Sequence, residues 1–492
     1  MEEKKAEVLL GFIPIGKFCF SHEDAIKQKN KTEEALKELG VSYFNVDEVV
    51  EDGIVRSDED AEKVVRYIRG LPREDQPDAL FLPHCNFGTE TAVGILGRDF
   101  RKPLLLWGPR DEAPLPDGAR LRDSLCGVFA SSKVLQNSSV PFTHLTNCRV
   151  EDPVFKEGID RFIRAAAVVK RFTGGLRIGI LGNRLPFFQC TMVNEKELLE
   201  AFGITVVPVN LLKVVSKIKE RETSGSAKYA AEVKELSKHV DLFEMTEDAM
   251  IRVLAFRDVL LDIAEEERLD GLTVENIIEL TKEMDTHLVF ALASVTEKGI
   301  PAVIESDIHG VISSIIAQSA DLNETPTFFM DLTVRHPEEE DAVLLWHNSA
   351  PLSLMDREFY APEDNSGHPA SGTASSGASP PQRPSIGSHW TMPGINPGVC
   401  NWKLKEGEVT VLRFERGREG YRLLSFDASS IPGPFNRNTY LWVGVYNWDS
   451  LEKKIIYGPY LHHVACVYGS YASVLEEACR YIPGLESDTL NT

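Results

Sequence analysis

The chain has 492 residues and no uninterrupted apolar run near the ~18 residues that a membrane-spanning helix needs. No membrane partner is therefore expected. Cysteine is sparse: the eight residues at 19, 85, 126, 148, 190, 400, 466 and 479 form no C-x-x-C pair. That argues against a zinc ribbon or a disulfide framework and fits a reducing compartment. Positive charge is also short. The 53 Lys and Arg face 75 Asp and Glu, a formal net charge of -22. So acidic a surface repels phosphate backbones, and no nucleic acid partner is expected. The opening MEEKKAEVLLGFIPIG carries acids and only a short apolar run. It reads as a first strand rather than a secretory signal, and the expected location is cytoplasmic. The stretch 179-GILGN-183 lacks G-x-G-x-x-G, so a dinucleotide is not expected either.

What the chain does have is alternation. Strand-like EVLLGFIPIG, DALFLPHC and PLLLWGP are separated by helical stretches, one of them ending at Gly40. Strands alternating with helices imply a parallel sheet covered on both faces. After a helix over residues 153–173 the pattern restarts with LRIGILGN, NEKELLEAFG and ITVVPVN. Charged helical sequence follows over roughly 213–270, and HLVFALAS reads as either helix or strand. Beyond about 350 the texture changes. A Gly/Ser/Pro-rich stretch over 364–390 is a linker or a long functional loop. Then come EVTVLRFER, YRLLSFDAS, TYLWVGVY, KKIIYGPY and HHVACVYGS, all read as strands, and a closing helix YASVLEEACRYI. The expectation is two doubly wound α/β domains, 1–172 and 173–350, followed by an antiparallel β-rich, barrel-like domain over 351–492.

Within that frame, 301-PAVIESDIHG-310 and 326-PTFFMDLTVRHP-337 each run apolar and then meet a carboxylate, Glu305 and Asp331. His347 follows an apolar run in 343-VLLWHNSAP-351, and a pair of histidines stands in 458-GPYLHHVACVYG-469. A buried carboxylate is costly unless paired, hydrogen-bonded or metal-bound. A single acid after a strand is ordinarily a turn or cap residue, and Asp307 has the position of a cap for a helix starting near Gly310. Together, two carboxylates and one or two imidazoles at strand ends suit a divalent ion of intermediate hardness such as Mn²⁺.

The ESDIHG segment, the FFMD strand, the WHNSAP stretch and the histidine pair before a terminal helix occur in that order. This order resembles the L-fucose isomerase and L-arabinose isomerase superfamily, as a divergent branch. The resemblance implies an aldose–ketose isomerase acting on an open-chain pentose or 6-deoxyhexose of the L-fucose, D-arabinose or L-arabinose type, through a cis-enediol. It implies Mn²⁺, Co²⁺ or Mg²⁺ held by Glu305, Asp331 and His463, with His347 a further ligand or an oxygen contact. Glu305 and Asp331 would also move the protons. Gln189, Asn194, Trp107, His389, Trp390 and Asn401 are side chains of the kinds that stack on or hydrogen-bond a polyol. A homo-oligomer, trimer or hexamer, is implied, with Trp107 or His84 of a neighbour completing the pocket. The alternatives are a silent carbohydrate-binding protein on the same fold, or an isomerase or epimerase for another modified sugar.

Overall fold

The computed structural model describes residues 8–242, 244–275, 279–360, 383–389 and 397–490. The chain divides into two compact units: one of residues 4–170 with 473–483, the other of 171–472 with the two chain ends.

The first unit holds five short strands, β1 (Leu10–Phe12), β2 (Tyr43–Phe44), β3 (Ala79–Pro83), β4 (Leu104–Trp107) and β5 (Thr143–His144). They pair in parallel in the order β2-β1-β3-β4-β5. β3 and β4 are buried at every position, as expected of strands covered on both faces. The intervening helices obey their local signals. Ser21 and Ser57 cap two of them by accepting from Asp24 and Asp60 backbone N–H groups.

The second unit opens with a four-stranded parallel sheet in the order β7-β6-β8-β9, made of β6 (Arg177–Leu181), β7 (Thr205–Val209), β8 (Gly271–Val274) and β9 (Ala302–Ile304). HLVFALAS resolves as a helix, Val289–Thr296, buried at all but one position. The next strands, β10 (Phe328–Arg335) and β11 (Ala342–His347), are antiparallel. They belong to the barrel sheet although they precede residue 351. A small ladder, β12 (Ser385–Gly387) with β13 (Val399–Asn401), follows. β14 (Glu408–Arg416), β15 (Tyr421–Ser430), β16 (Thr439–Gly444) and β17 (His463–Tyr468) complete the sheet in the order β14-β17-β10-β11-β16-β15. Pairing of β14 with β15 closes six antiparallel strands into a barrel. β18 (Leu485–Thr489) adds to β15 in parallel. Two parallel-sheet α/β layers and a terminal barrel are thus the fold that the alternation implied.

One expected strand is a helix. KKIIYGPY falls at the end of Trp448–Tyr457, which starts at Asn447, whose side chain accepts from Ser450 N–H. Only Leu451 of that helix is buried, so its Ile455–Tyr457 run is largely surface rather than a strand core.

Candidate metal and proton-transfer site

The site is built on the turn after β9 and on one end of three neighbouring barrel strands. β9 is fully buried, and the chain leaves it through two consecutive left-handed residues, Glu305 at φ 67° and Ser306 at φ 54°. Neither is glycine, so this turn holds strain of about 1–3 kcal/mol per residue, a feature concentrated at functional sites. It is held by the Ser306 hydroxyl, which donates to the Asn183 carbonyl at 2.9 Å. Asp307 then caps the buried helix Ile308–Ala320, accepting from Gly310 N–H at 2.8 Å. A Cβ at Gly310 would lie 2.6 Å from the Phe329 ring, so the E-x-D-x-x-G pattern ends in glycine to let this helix approach β10.

Asp331 does not end its strand. It is the fourth residue of β10, which continues to Arg335 as a progressively exposed stretch. Its cross-strand neighbours are His463 on β17 and Trp346 on β11. The cluster therefore arises from register in an antiparallel barrel plus one loop from the parallel sheet, not from the carboxyl ends of parallel strands alone. His463 Nε2 lies 3.0 Å from Glu305 Oε2 and 3.8 Å from Asp331 Oδ1, and His347 Nε2 lies 3.9 Å from Asp331 Oδ1. The Phe329 ring lies edge-on to His463 at 5.3 Å and tilted against His347 at 5.8 Å, and Phe188 lies 6.1 Å from the His463 ring.

The other nitrogen of His463 makes a 2.9 Å hydrogen bond to Asp307 Oδ2. Asp307 also receives two bonds from Arg413, at 2.6 and 3.1 Å. Arg413 in turn bonds Glu415, and Glu415 meets His309 Nδ1 at 2.6 Å. All five residues are buried. Burial pushes the His463 imidazole down, but Asp307, Glu305 and Asp331 outweigh it and raise its pKa to about 10. Burial likewise works against ionised Asp307, yet Arg413 and His463 hold its carboxyl far below the usual carboxylate range. Glu305 is desolvated too, and the histidines beside it keep it below its ordinary value. Sequence reasoning reached Asp307 only as a cap and missed Arg413 and Glu415. A signal existed: in EVTVLRFER they share a strand face with Val409 and Val411, where apolar residues continue the pattern.

The polyol candidates part company. Trp107 is fully buried, with its ring 4.8 Å from Phe155 and 6.1 Å from Phe81. It offers no face to a sugar, its own or a neighbour's, and is a core residue. His84 is fully buried as well, its ring held by Ser131 Oγ and the Leu82 carbonyl. Asn194 is an exposed helix cap accepting from Glu197 N–H. Asn401 spends its amide on Ser385 Oγ and Asn438 N–H. Gln189 is exposed and follows Phe188, which touches His463. His389 stands at the site, 6.2 Å from the Trp346 ring, and burial with nearby His347 lowers its pKa. Trp390 lies outside the described residues.

The cluster fits a divalent ion. One of its buried polar atoms, Asp331 Oδ1, makes no hydrogen bond among the described residues, while His463 Nε2 faces Glu305 Oε2 at 3.0 Å. Asp331, His462 and His463 present ligand atoms all within 4.8 Å of one another, with Glu305 beside them. Carboxylate oxygen with imidazole nitrogen is a donor set for ions such as Mn²⁺. His462 enters this set although the sequence favoured only its neighbour, because the His462 and His463 rings sit 4.4 Å apart.

Residues 11–173 match the family model described as the N-terminal domain of fucose/sulfoquinovose isomerase. The chain is 27% identical to the sulfoquinovose isomerase of Priestia aryabhattai, over 96% of this chain and 97% of that protein. The same figures hold for the sulfoquinovose isomerase of Priestia megaterium. The sulfoquinovose isomerase of Alkalicoccus urumqiensis is 24% identical over 87% of each chain.

Proposed function

We propose that the chain is a metal-dependent sugar aldose–ketose isomerase of the fucose isomerase-like superfamily, acting on an open-chain pentose or a hexose altered at C6, a reading supported by the family-model match and the sulfoquinovose isomerase relatives. The first substrate to try is sulfoquinovose, the sugar in the relatives' names; L-fucose, D-arabinose and L-arabinose follow. The observation that carries the reading is the convergence of Glu305, Asp331 and His463, with Asp331 Oδ1 left without a hydrogen bond among the described residues in a buried setting.

Asp331, His463 and Glu305, with His462 or His347, are the residues that would hold the ion. When bound, it supplies Lewis acidity toward the oxygens at C1 and C2. Glu305, ionised in its buried setting, takes the proton from C2 and returns it at C1 of the cis-enediol. Asp331 exchanges the proton between O1 and O2. Asp307 fixes the His463 ring, so that Nε2 faces the two reacting carboxylates. Phe329 and Phe188 exclude water from that side. The test is ketose formation by protein stripped with chelator and reloaded with Mn²⁺, with Glu305→Gln run in parallel. Metal-dependent turnover that disappears in Glu305→Gln is expected. Turnover that survives chelation or the substitution removes the proposal.

A further inference from the structure

The second unit has a cavity of about 610 Å³ whose lining contains none of the acids and histidines described above. Its volume lies in the usual range for small-ligand sites. Its charge is the reverse of the chain's. Among the described residues, Lys238, Arg257, Lys298, Arg357 and Arg383 line it against a single acid, Glu297, in a protein of net charge -22. Not all of that charge is free. Arg257 is paired with Glu232 and Asp258, and Lys238 with Glu235. Glu297 accepts from Ser353 N–H at 3.2 Å. Three cations remain against the Glu297 carboxylate among the described residues. Arg383 is steadied by the Ser237 and Lys238 carbonyls at 3.2 and 3.1 Å, which fix its guanidinium without neutralising it. Lys298 and Arg357 form no ion pair with a described residue. Beside them, Phe290, Leu352 and Met355 supply an apolar wall.

Like-signed cations around a concave surface focus potential and attract anions, and guanidinium groups match phosphate oxygens in geometry. An apolar wall next to them has no use for a bare inorganic ion. We propose that this cavity binds a small organic phosphate, its dianion held by Lys298, Arg357 and Arg383 and its body resting on Phe290, Leu352 and Met355. The proposal stands apart from the isomerase site, since no lining residue belongs to it.

The test is isothermal titration of the intact chain at low ionic strength, with AMP and inorganic phosphate as probes. AMP is expected to bind saturably and more tightly than phosphate. The doubly substituted Lys298→Glu/Arg357→Glu chain should bind it at least about tenfold more weakly, while melting temperature and isomerase turnover stay as in the unaltered protein. Both positions are exposed, so the fold tolerates the change. Absence of saturable binding by either probe overturns the site. So does unaltered binding by the charge-reversed chain. Equal affinity for the two probes overturns the assignment to an organic phosphate.

Discussion

His84 and His463 are both fully buried, both stand beside apolar strands, and they behave oppositely. His84 donates from Nδ1 to the Leu82 carbonyl and accepts at Nε2 from the Ser131 hydroxyl. Both nitrogens are satisfied by neutral partners, and burial drives the pKa down to about 4. His463 is ringed by Asp307, Glu305 and Asp331, its pKa rises to about 10, and its Nε2 lies 3.0 Å from Glu305 Oε2. Burial alone therefore says nothing about chemistry. The neighbouring carboxylates decide whether a buried imidazole is a structural spacer or a poised ligand. The same contrast separates Trp107, packed against Phe155, from the ring cage of Phe329 and Phe188 around His463.

The strongest way to break this contrast is to neutralise the acid beside the poised imidazole. Glu305→Gln should lower kcat by about 10²–10⁴-fold, as expected for loss of a proton-transfer group, with melting temperature little changed. Steady-state ketose production measures it. Removing the acid on the other side acts on the fold instead. Asp307→Ala leaves Arg413 buried without its bidentate partner, and should cost about 3–5 kcal/mol in denaturant unfolding. In the first unit, Trp107→Ala should cost about 3–5 kcal/mol by cavity formation and leave KM for the sugar unchanged. A raised KM would return Trp107 to the pocket.

The pH dependence of the two histidines should differ in sign. His84 is neutral when folded and takes a proton when unfolded below about pH 6.5. Its share of stability is full above that pH and falls as pH drops toward 4, by about 3 kcal/mol in all. Urea midpoints between pH 4 and 7 should flatten in His84→Gln. In the metal-free protein His463 runs the other way. Its contribution is full below pH 6.5 and is lost as pH rises through about 10. The smallest expected effect is at Asn194→Ala, where loss of a helix cap costs about 1 kcal/mol and turnover is untouched.

The sequence carried the α/β alternation well because buried parallel strands such as β3 and β4 are unbroken apolar runs. The barrel was legible as strands, but Asp331 was misplaced at a strand end. β10 turns from buried to exposed at that residue and carries on, and an apolar run cannot show where an exposed half continues. KKIIYGPY misled for the opposite reason: its apolar residues lie on a surface helix begun by the Asn447 cap, a signal outside the quoted run. For the site, Glu305 and His463 could be found because each punctuates an apolar stretch. Arg413 and Glu415 could not be paired with Asp307 from sequence, since only closure of the barrel against the buried helix brings residues about a hundred positions apart together. Among the polyol candidates, residue type alone could not separate the capping Asn194 from the site-edge His389.

The metal site around His463 is tested by Mn²⁺ binding, followed by electron paramagnetic resonance on chelator-stripped protein, compared among the unaltered chain, Asp331→Asn, His463→Gln and His84→Gln. One tight site per chain is expected, lost in Asp331→Asn and His463→Gln and kept in His84→Gln. Equal Mn²⁺ binding in all four proteins would contradict it, and the cluster around His463 would then be a charge network of the fold rather than a metal site.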